Sequence, residues 1–404
     1  MDRPVMMKYK FIKVSNKREI DLFHQFPFSI YKDNPNWVPP FRFEIEKIFD
    51  PQKNSFFEYG ECERYLMFNQ NNLVARFAVM NHSKKDVVFS PRMGGMGFLE
   101  MINDQSVANE MINFIKKWHS QRGYRAFRGP INFAENDNFW GLLIENYEEP
   151  PIYGMYYHAP YYRELLEKTG AQKLDDHWSY KREFDMPLPE RMIRITDRIE
   201  SRSDVTLRPI DMKNLERDGE AIRQIYNRAW SDQDISERER EFTELTQETI
   251  QEMISQLKKI MIPETVLIAF VNDEPASFVV CIPDLNEISA ETGGKLNWWH
   301  IPKLLRFKKR VKHLRTMVYG TLPKYRKIGL EALTFVRGIQ MTREAAPTLE
   351  YLEGAWVSEK NWLMQRSLEA LGCYHHKTHR TYRWEIDKQS VNTSPEEQSN
   401  EMEY

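Results

Sequence analysis

The chain is 404 residues long, 41% hydrophobic and 29% charged, with a formal net charge of −2. That length points to two domains with a core each, and the near-neutral charge excludes a globally basic nucleic-acid binder, so no DNA partner is expected. No apolar run approaches bilayer length, no leader pattern opens the chain, and Cys62, Cys281 and Cys373 are too scattered for a disulfide framework or a Cys metal cluster, so a reducing cytoplasm and no metal are expected.

Lys8–Val14 reads as a first strand, followed by a loop rich in Pro and aromatics from Tyr31 to Phe43. Tyr65–Phe68 and Leu73–Met80 flank an Asn-rich turn, which predicts a hairpin because Asn tolerates positive φ. Gly97–Met101 is a further expected strand. Val107, Met111, Ile112, Ile115 and Trp118 recur at helical spacing, so Ser106–Gln121 is an expected helix. Tyr124–Phe127 as strand, Tyr161–Thr169 as helix and Trp178–Phe184 as strand complete a mixed α/β unit. The loop from Gly129 to Pro160 carries Asn132, Asn136, Asp137, Trp140, Tyr156 and His158 and serves either a domain contact or a substrate pocket.

Asp185 to Asp204 has a Pro-flanked start and a short charged helix, as linkers do. Val205–Ile210 then predicts a strand, and Leu215–Trp230 and Gln247–Ile260 predict amphipathic helices. Thr265–Val271 and Ala276–Ile282 form an expected hairpin across Asn272-Asp273-Glu274-Pro275. Leu349–Val357 as strand, Trp362–Ala370 as helix and Thr381–Ile386 as strand end the second unit, with His375, His376 and His379 expected in an exposed loop. The element order nearly repeats that of the first half. The expected division is 1–188, a linker at 189–203, 204–387, and a polar disordered tail at 388–404.

Two stretches of the second half carry chemistry. From Thr292 to Leu330 there is no Asp or Glu, and Trp298–Arg310 pairs two Trp with a short basic segment. Such a segment fits a peripheral membrane contact, a packed helix with its charges in water, or cations placed on a ligand's phosphates. Met317–Ala346 predicts a strand, a Pro-containing turn through Lys324-Tyr325-Arg326-Lys327-Ile328-Gly329, and a long helix. The N–H groups and positive dipole end of a helix start, beside cations, favour phosphate; a solvated Lys-rich turn is the alternative.

In three segments the second half resembles the GNAT superfamily of acyl-CoA N-acyltransferases: Gly320–Leu330, which is similar to that family's V-x-P-x-x-[Gln/Arg]-x-x-Gly-x-[Gly/Ala] turn; Trp356–Asn361; and Leu371-Gly372-Cys373. The resemblance implies an α/β mixed-sheet fold of two tandem GNAT-like domains. It implies further that Gly320, Thr321, Leu322, Tyr325, Arg326, Lys327, Ile328, Gly329 and Leu330 hold acetyl-CoA or a longer acyl-CoA as co-substrate. Glu331 stands where the motif has a small residue, and Leu368 where many members have a Tyr that protonates the leaving thiolate. The first half has Leu99–Asp104 in place of the phosphate turn and is expected to be a degenerate copy that does not bind coenzyme A. Arg128-Gly129-Pro130, Tyr161-Tyr162 and Glu353 through Asn361 are similar to a bacterial tandem-domain group. Tandem GNAT-like architecture also occurs in peptidoglycan-bridge aminoacyltransferases and bacterial ceramide synthases.

The activity so implied is attack of an amine, from a small molecule or an amino-lipid, on an acyl thioester. It needs a base for the amine and a donor for the thioester oxygen. Glu353, a carboxylate inside an expected central strand, is the candidate base or else a structural ion-pair partner. Tyr382 is the candidate acid in place of Leu368, and Glu359 and Asn361 orient the strand end. A non-catalytic acyl-CoA-binding protein and a transfer-RNA-dependent aminoacyltransferase are the competing readings, the first motivated by Glu331 and Leu368, the second by the basic run.

Overall fold

The computed structural model describes residues 9–82, 92–133, 138–231, 244–326 and 328–386; the expected tail at 388–404 and Asn136, Asp137 and Lys327 lie outside the described residues. In the first half, β1 (Tyr9–Lys13), α1 (Lys17–Ile30), α2 (Arg42–Ile48), β2 (Gly60–Asn69), β3 (Asn72–His82), β4 (Met93–Met101), α3 (Gln105–Ser120), β5 (Ala126–Gly129), β6 (Leu142–Leu143), α4 (Tyr161–Glu167) and β7 (Gln172–Glu183) follow one another. After α5 (Glu190–Glu200), the second half runs through β8 (Val205–Pro209), α6 (Leu215–Trp230), α7 (Gln247–Leu257), β9 (Val266–Val271), β10 (Glu274–Pro283), α8 (Leu285–Thr292), α9 (Ile301–Phe307), β11 (His313–Thr321), α10 (Leu330–Ala345), β12 (Tyr351–Ser358), α11 (Trp362–Ala370) and β13 (Tyr374–Glu385).

Local chemistry explains several of these elements directly. Asn272 and Asp273 both take positive φ, 51° and 61°, which is what a two-residue hairpin turn between β9 and β10 demands. Helix α3 starts at Asp104, whose side chain accepts from the Ser106 N–H, and buries Val107, Met111, Ile112, Ile115 and Trp118 against β3, β4 and β5. Helix α1 occupies a stretch for which the sequence reading proposed no helix. Its Asn16–Glu19 capping box starts it, and Pro27 near its end obscures the helical pattern.

Thirteen strands form a single sheet in the order β1-β2-β3-β4-β5-β13-β7-β12-β11-β10-β9-β8, with β6 paired to β13. Two pairs are parallel, β4 with β5 and β11 with β12, and the other pairs are antiparallel. The centre of the sheet is an exchange. The last strand of the second half, β13, pairs with β5 of the first, and the last strand of the first half, β7, pairs with β12 of the second. Between them, β7 and β13 pair along nearly their whole length.

Strand β13 starts at Tyr374, well before the expected Thr381. His376 and His379 are therefore buried, at 7% and 1% exposure, rather than in an exposed loop. Successive buried polar residues, Lys377, Thr378 and His379, hide the alternation by which a strand is recognised.

Alternation along β9 separates the two faces of the second half. Val266 and Ile268 pack with α6 through Ile222 and Ile225, whereas Ala269 and Val271 pack with α5 and α10 through Ile199, Leu330 and Leu333. The charged linker helix α5 thus lies along α10. Met192 meets Ala332 and Val336, and Arg337 pairs with Asp197 and Glu200.

Candidate active site

Parallel strands β11 and β12 pair only from His313 with Tyr351 to Thr316 with Gly354. Beyond that point β11 bulges at Met317 against β10, and the pairing of β12 with β7 is interrupted between Gly354 and Val357. The two strands part like a V. A cavity of about 590 Å³ fills the opening and reaches both faces of the sheet, touching Tyr226 and Trp230 of α6 on one side and Phe335, Gly338 and Ile339 of α10 on the other.

The wall is apolar along Leu314, Met317, Val318 and Val357 and polar where Asp175, His177 and Lys360 meet. Gly338 opens the α10 side, since a Cβ there would lie 3.1 Å from Leu267 Cδ1.

The expected anion turn leads from this opening into α10. Thr321 ends β11, with its hydroxyl 2.8 Å from that of Ser277, and Leu322 is buried. The Tyr325 hydroxyl donates to Glu274 at 3.0 Å, and Arg326 donates to the Ala229 carbonyl of α6 at 2.6 Å. Gly329 stands before α10 with φ 97° and, as a glycine, offers no side-chain cap of its own. An added Cβ at Gly329 would lie 2.7 Å from Ile195 Cγ2, so α5 also requires glycine there. The first N–H groups of α10, behind a left-handed glycine and next to Arg326, form an arrangement that suits a pyrophosphate.

Glu331 lines the cavity in the first turn of α10. Burial raises its carboxyl above the ordinary range, against the lowering effects of its own N–H, the Thr321 hydroxyl and Arg326. A carboxyl that gives up its charge more readily competes less with a phosphate at the same helix end.

The other sequence-derived candidates are not gathered at this opening. Glu353 is 1% exposed and does not line the cavity. Its carboxylate lies 3.1 Å from His376 Nδ1, and His376 Nε2 lies 3.2 Å from Glu149. Burial alone would raise the Glu353 carboxyl, but His376, Ser179 and Lys377 together hold it below the ordinary range. Tyr382 is on β13 beside β5, and its hydroxyl donates to Glu167 at 2.9 Å. Asn361 caps α11 by accepting from the Met364 N–H at 3.2 Å. His158 is buried, its Nδ1 accepts from the Leu143 N–H at 3.3 Å, and burial lowers its pKa to about 3. Leu368 does line the cavity.

His177, Asp175 and Tyr319, which no local sequence pattern singles out, stand at the cavity with acid–base chemistry. His177, from β7 of the first half, has Nε2 3.9 Å from Asp175, and Asp175 is in turn 3.2 Å from Lys360. The rings of Trp356 and His177 stand nearly perpendicular, at 85°, with centroids 4.7 Å apart. Tyr319, on the divergent end of β11, lines the cavity with its hydroxyl against the Met364 sulfur, and burial raises its pKa. Only the exchange of strands brings His177 here, and no local pattern announces it. Asp284, Glu287 and His313 also approach one another within 4.8 Å, but Glu287 there accepts from the Lys312 and His313 N–H groups.

No family model matches the chain. It is 28% identical over 376 residues to the Caulobacter vibrioides protein named bacterial ceramide synthase, covering 92% of this chain and 96% of that one. It is 26% identical over 377 residues to Protein YghO of Escherichia coli, with 92% and 94% covered. Among solved structures, a tandem GNAT protein from the clavulanic acid biosynthesis pathway matches 94% of this chain and 99% of its own at a TM-score of 0.54 and 10% identity. A GCN5-related glucosamine N-acetyltransferase region in a fungal GH3 β-N-acetylglucosaminidase also gives 0.54, at 11% identity, over 95% of this chain and 39% of that one.

Proposed function

The chain has a tandem GNAT fold, and on that premise we propose that it is an acyl-CoA-dependent N-acyltransferase whose second half holds the thioester and whose acceptor is an amine. The observation that carries this reading is the cavity of about 590 Å³ in the V between β11 and β12, directly before the phosphate-suited start of α10. Its apolar extension to Gly338 and Ile339 favours a long acyl chain over acetyl, because each buried methylene contributes about 0.8 kcal/mol. A relative named ceramide synthase favours an amino-lipid as acceptor. Such an acceptor places the reaction at a membrane surface, although no helix among the described residues is long and apolar enough to cross a membrane.

The residues divide the work as follows. Gly329 and the N–H groups that open α10, with Arg326, hold the pyrophosphate. His177, whose Nε2 lies 3.9 Å from Asp175, takes the proton from the attacking amine. The amine nitrogen forms its bond to the acyl carbon as the carbon–sulfur bond breaks, and Tyr319 gives its proton to the departing thiolate. Glu353 and Tyr382 hold the shared centre of the sheet and are not assigned steps.

Glu331 and Leu368 favour a second reading, a non-catalytic acyl-CoA-binding protein. Calorimetric titration with acetyl-CoA and palmitoyl-CoA, joined to a thiol-release assay over a panel of amines and long-chain amino alcohols, separates the two. Binding with amine-dependent thiol release is expected. Binding without release favours the second reading, and no binding of either thioester defeats both.

A further inference from the structure

The first half holds a second cavity, of about 410 Å³, between α1, the segment from Trp37 to Arg42, and Thr292–Lys295 of the second half. The titratable side chains along it are His24, Arg42, Arg76, Tyr156 and Lys295, with His24 2.6 Å from Glu46 and Arg42 2.6 Å from Asp21; among the described residues neither Asp nor Glu lines it. Arg76 sits at its floor with 6% exposure. It donates to the Phe23 carbonyl at 2.7 Å and lies 3.7 Å from Glu100, while its Nε, buried, meets no partner. Phe98 beside it takes φ 50°, a left-handed conformation that a phenylalanine adopts only when its surroundings hold it there. A buried guanidinium with a spare donor, walled by aromatics and with Lys295 at the rim, suits an anion on an apolar body.

The rim is anchored, since the Arg42 N–H donates to the Gly294 carbonyl at 3.0 Å. From Lys295 three residues of chain, a reach of about 10 Å, lead to Trp298. Trp298 is 77% exposed, Trp299 56% and Ile301 52%, and Phe43, next to Arg42, is 55% exposed. Lys303 and Lys309 are exposed beside them, while Phe307 is fully buried and fixes α9 to the core. Exposed tryptophans among lysines match the polar–apolar gradient of a bilayer interface.

We infer that this cavity and the Trp298–Lys309 shoulder form one docking face for an anionic phospholipid bilayer. The tryptophans enter the interface, and the phosphate of one lipid headgroup enters the cavity between Lys295 and Arg76. The inference takes its biological sense from the reading of a lipid acceptor, but the docking itself needs no catalysis.

The test is flotation of the full chain with vesicles of phosphatidylcholine alone or mixed with phosphatidylglycerol, alongside calorimetry with dihexanoyl phosphatidylglycerol and with inorganic phosphate. Binding to the mixed vesicles is expected, weakening with salt, lost in Trp298→Ala/Trp299→Ala, and reduced about fivefold or more in Lys295→Glu. The short-chain lipid should bind the wild type and lose affinity in Lys295→Glu, whereas inorganic phosphate alone should not bind. Tight binding of inorganic phosphate would reassign the cavity to a soluble anion and overturn the proposal. So would vesicle binding indifferent to the tryptophan variant, short-chain lipid binding indifferent to Lys295→Glu, or a preference for RNA over vesicles. Thiol release with a soluble amine should be unchanged in these variants. Docking without any thiol release would leave this proposal standing while removing the acyltransferase reading.

Discussion

His177 illustrates how much of this site depends on single side chains supplied from a distance. It belongs to β7, faces Ser358 across the β12 pairing, and meets the cavity beside Asp175. Replacing it with Ala should lower kcat/KM by about 10²- to 10⁴-fold while leaving the calorimetric affinity for acyl-CoA nearly unchanged. An equal loss of affinity would instead make His177 part of the binding wall. Three other histidines act on stability. Burial lowers His119 and His158 to about 3 and His379 to about 4, from an ordinary value of 6.5. In the unfolded chain these groups take up protons near pH 6.5, whereas in the folded one they stay neutral until much lower pH. The unfolded state therefore binds more protons in that window, and stability falls as pH drops from about 6.5 towards 4. Urea midpoints measured from about pH 7 down to about pH 5 should show this fall, at about 2 kcal/mol for each histidine at the lower end.

Helix α10 joins the Lys324–Gly329 turn, the cavity wall and the linker helix, so two glycines in or beside it make distinct predictions. At Gly329, Ala would have to hold φ 97° and place its Cβ 2.7 Å from Ile195. Gly329→Ala should destabilise the protein by about 1–3 kcal/mol in denaturant melts, with part recovered in Gly329→Ala/Ile195→Ala. At Gly338, which lines the α10 side of the cavity, a leucine would press on Leu267, whose Cδ1 lies 3.1 Å from an added Cβ, and crowd that side of the cavity. Gly338→Leu should shift preference from palmitoyl-CoA towards acetyl-CoA, read as the ratio of their kcat/KM values; an unchanged ratio would place the acyl chain elsewhere. The turn and helix around Gly329 were legible because Pro323, the cations and the glycine act within a few residues of one another. The same holds for the Asn272-Asp273 hairpin, where φ preference alone dictates the turn. Helix α1 escaped notice because its internal Pro27 breaks the familiar pattern. For Glu353 a carboxylate in a central strand allows either a base or an ion pair, and the sequence does not choose between them because its partner His376 lies on a different strand.

Across the whole molecule, the doubled element order was readable in the sequence, but the crossing of β7 and β13 was not, because pairing between distant strands leaves no periodic trace in either. The buried polar run from His376 to His379 makes sense only once another half covers it, with Lys377 donating to the Asn146 and Glu149 carbonyls at 2.6 and 2.8 Å. Fragments 1–203 and 204–404 expressed singly should each be insoluble or molten, since β5 would lack β13 and β12 would lack β7. Expressed together, they should copurify and recover the cooperative melt of the intact chain. Independent folding of either fragment would show the crossing to be dispensable. The arrangement also sets an order of events at the ribosome. Strand β5 is made long before its neighbour β13, so the first half must wait with an open sheet edge until Tyr374–Glu385 has emerged. The clasp closes only then, and a nascent chain stalled before Tyr374 should still depend on chaperones to shield that edge.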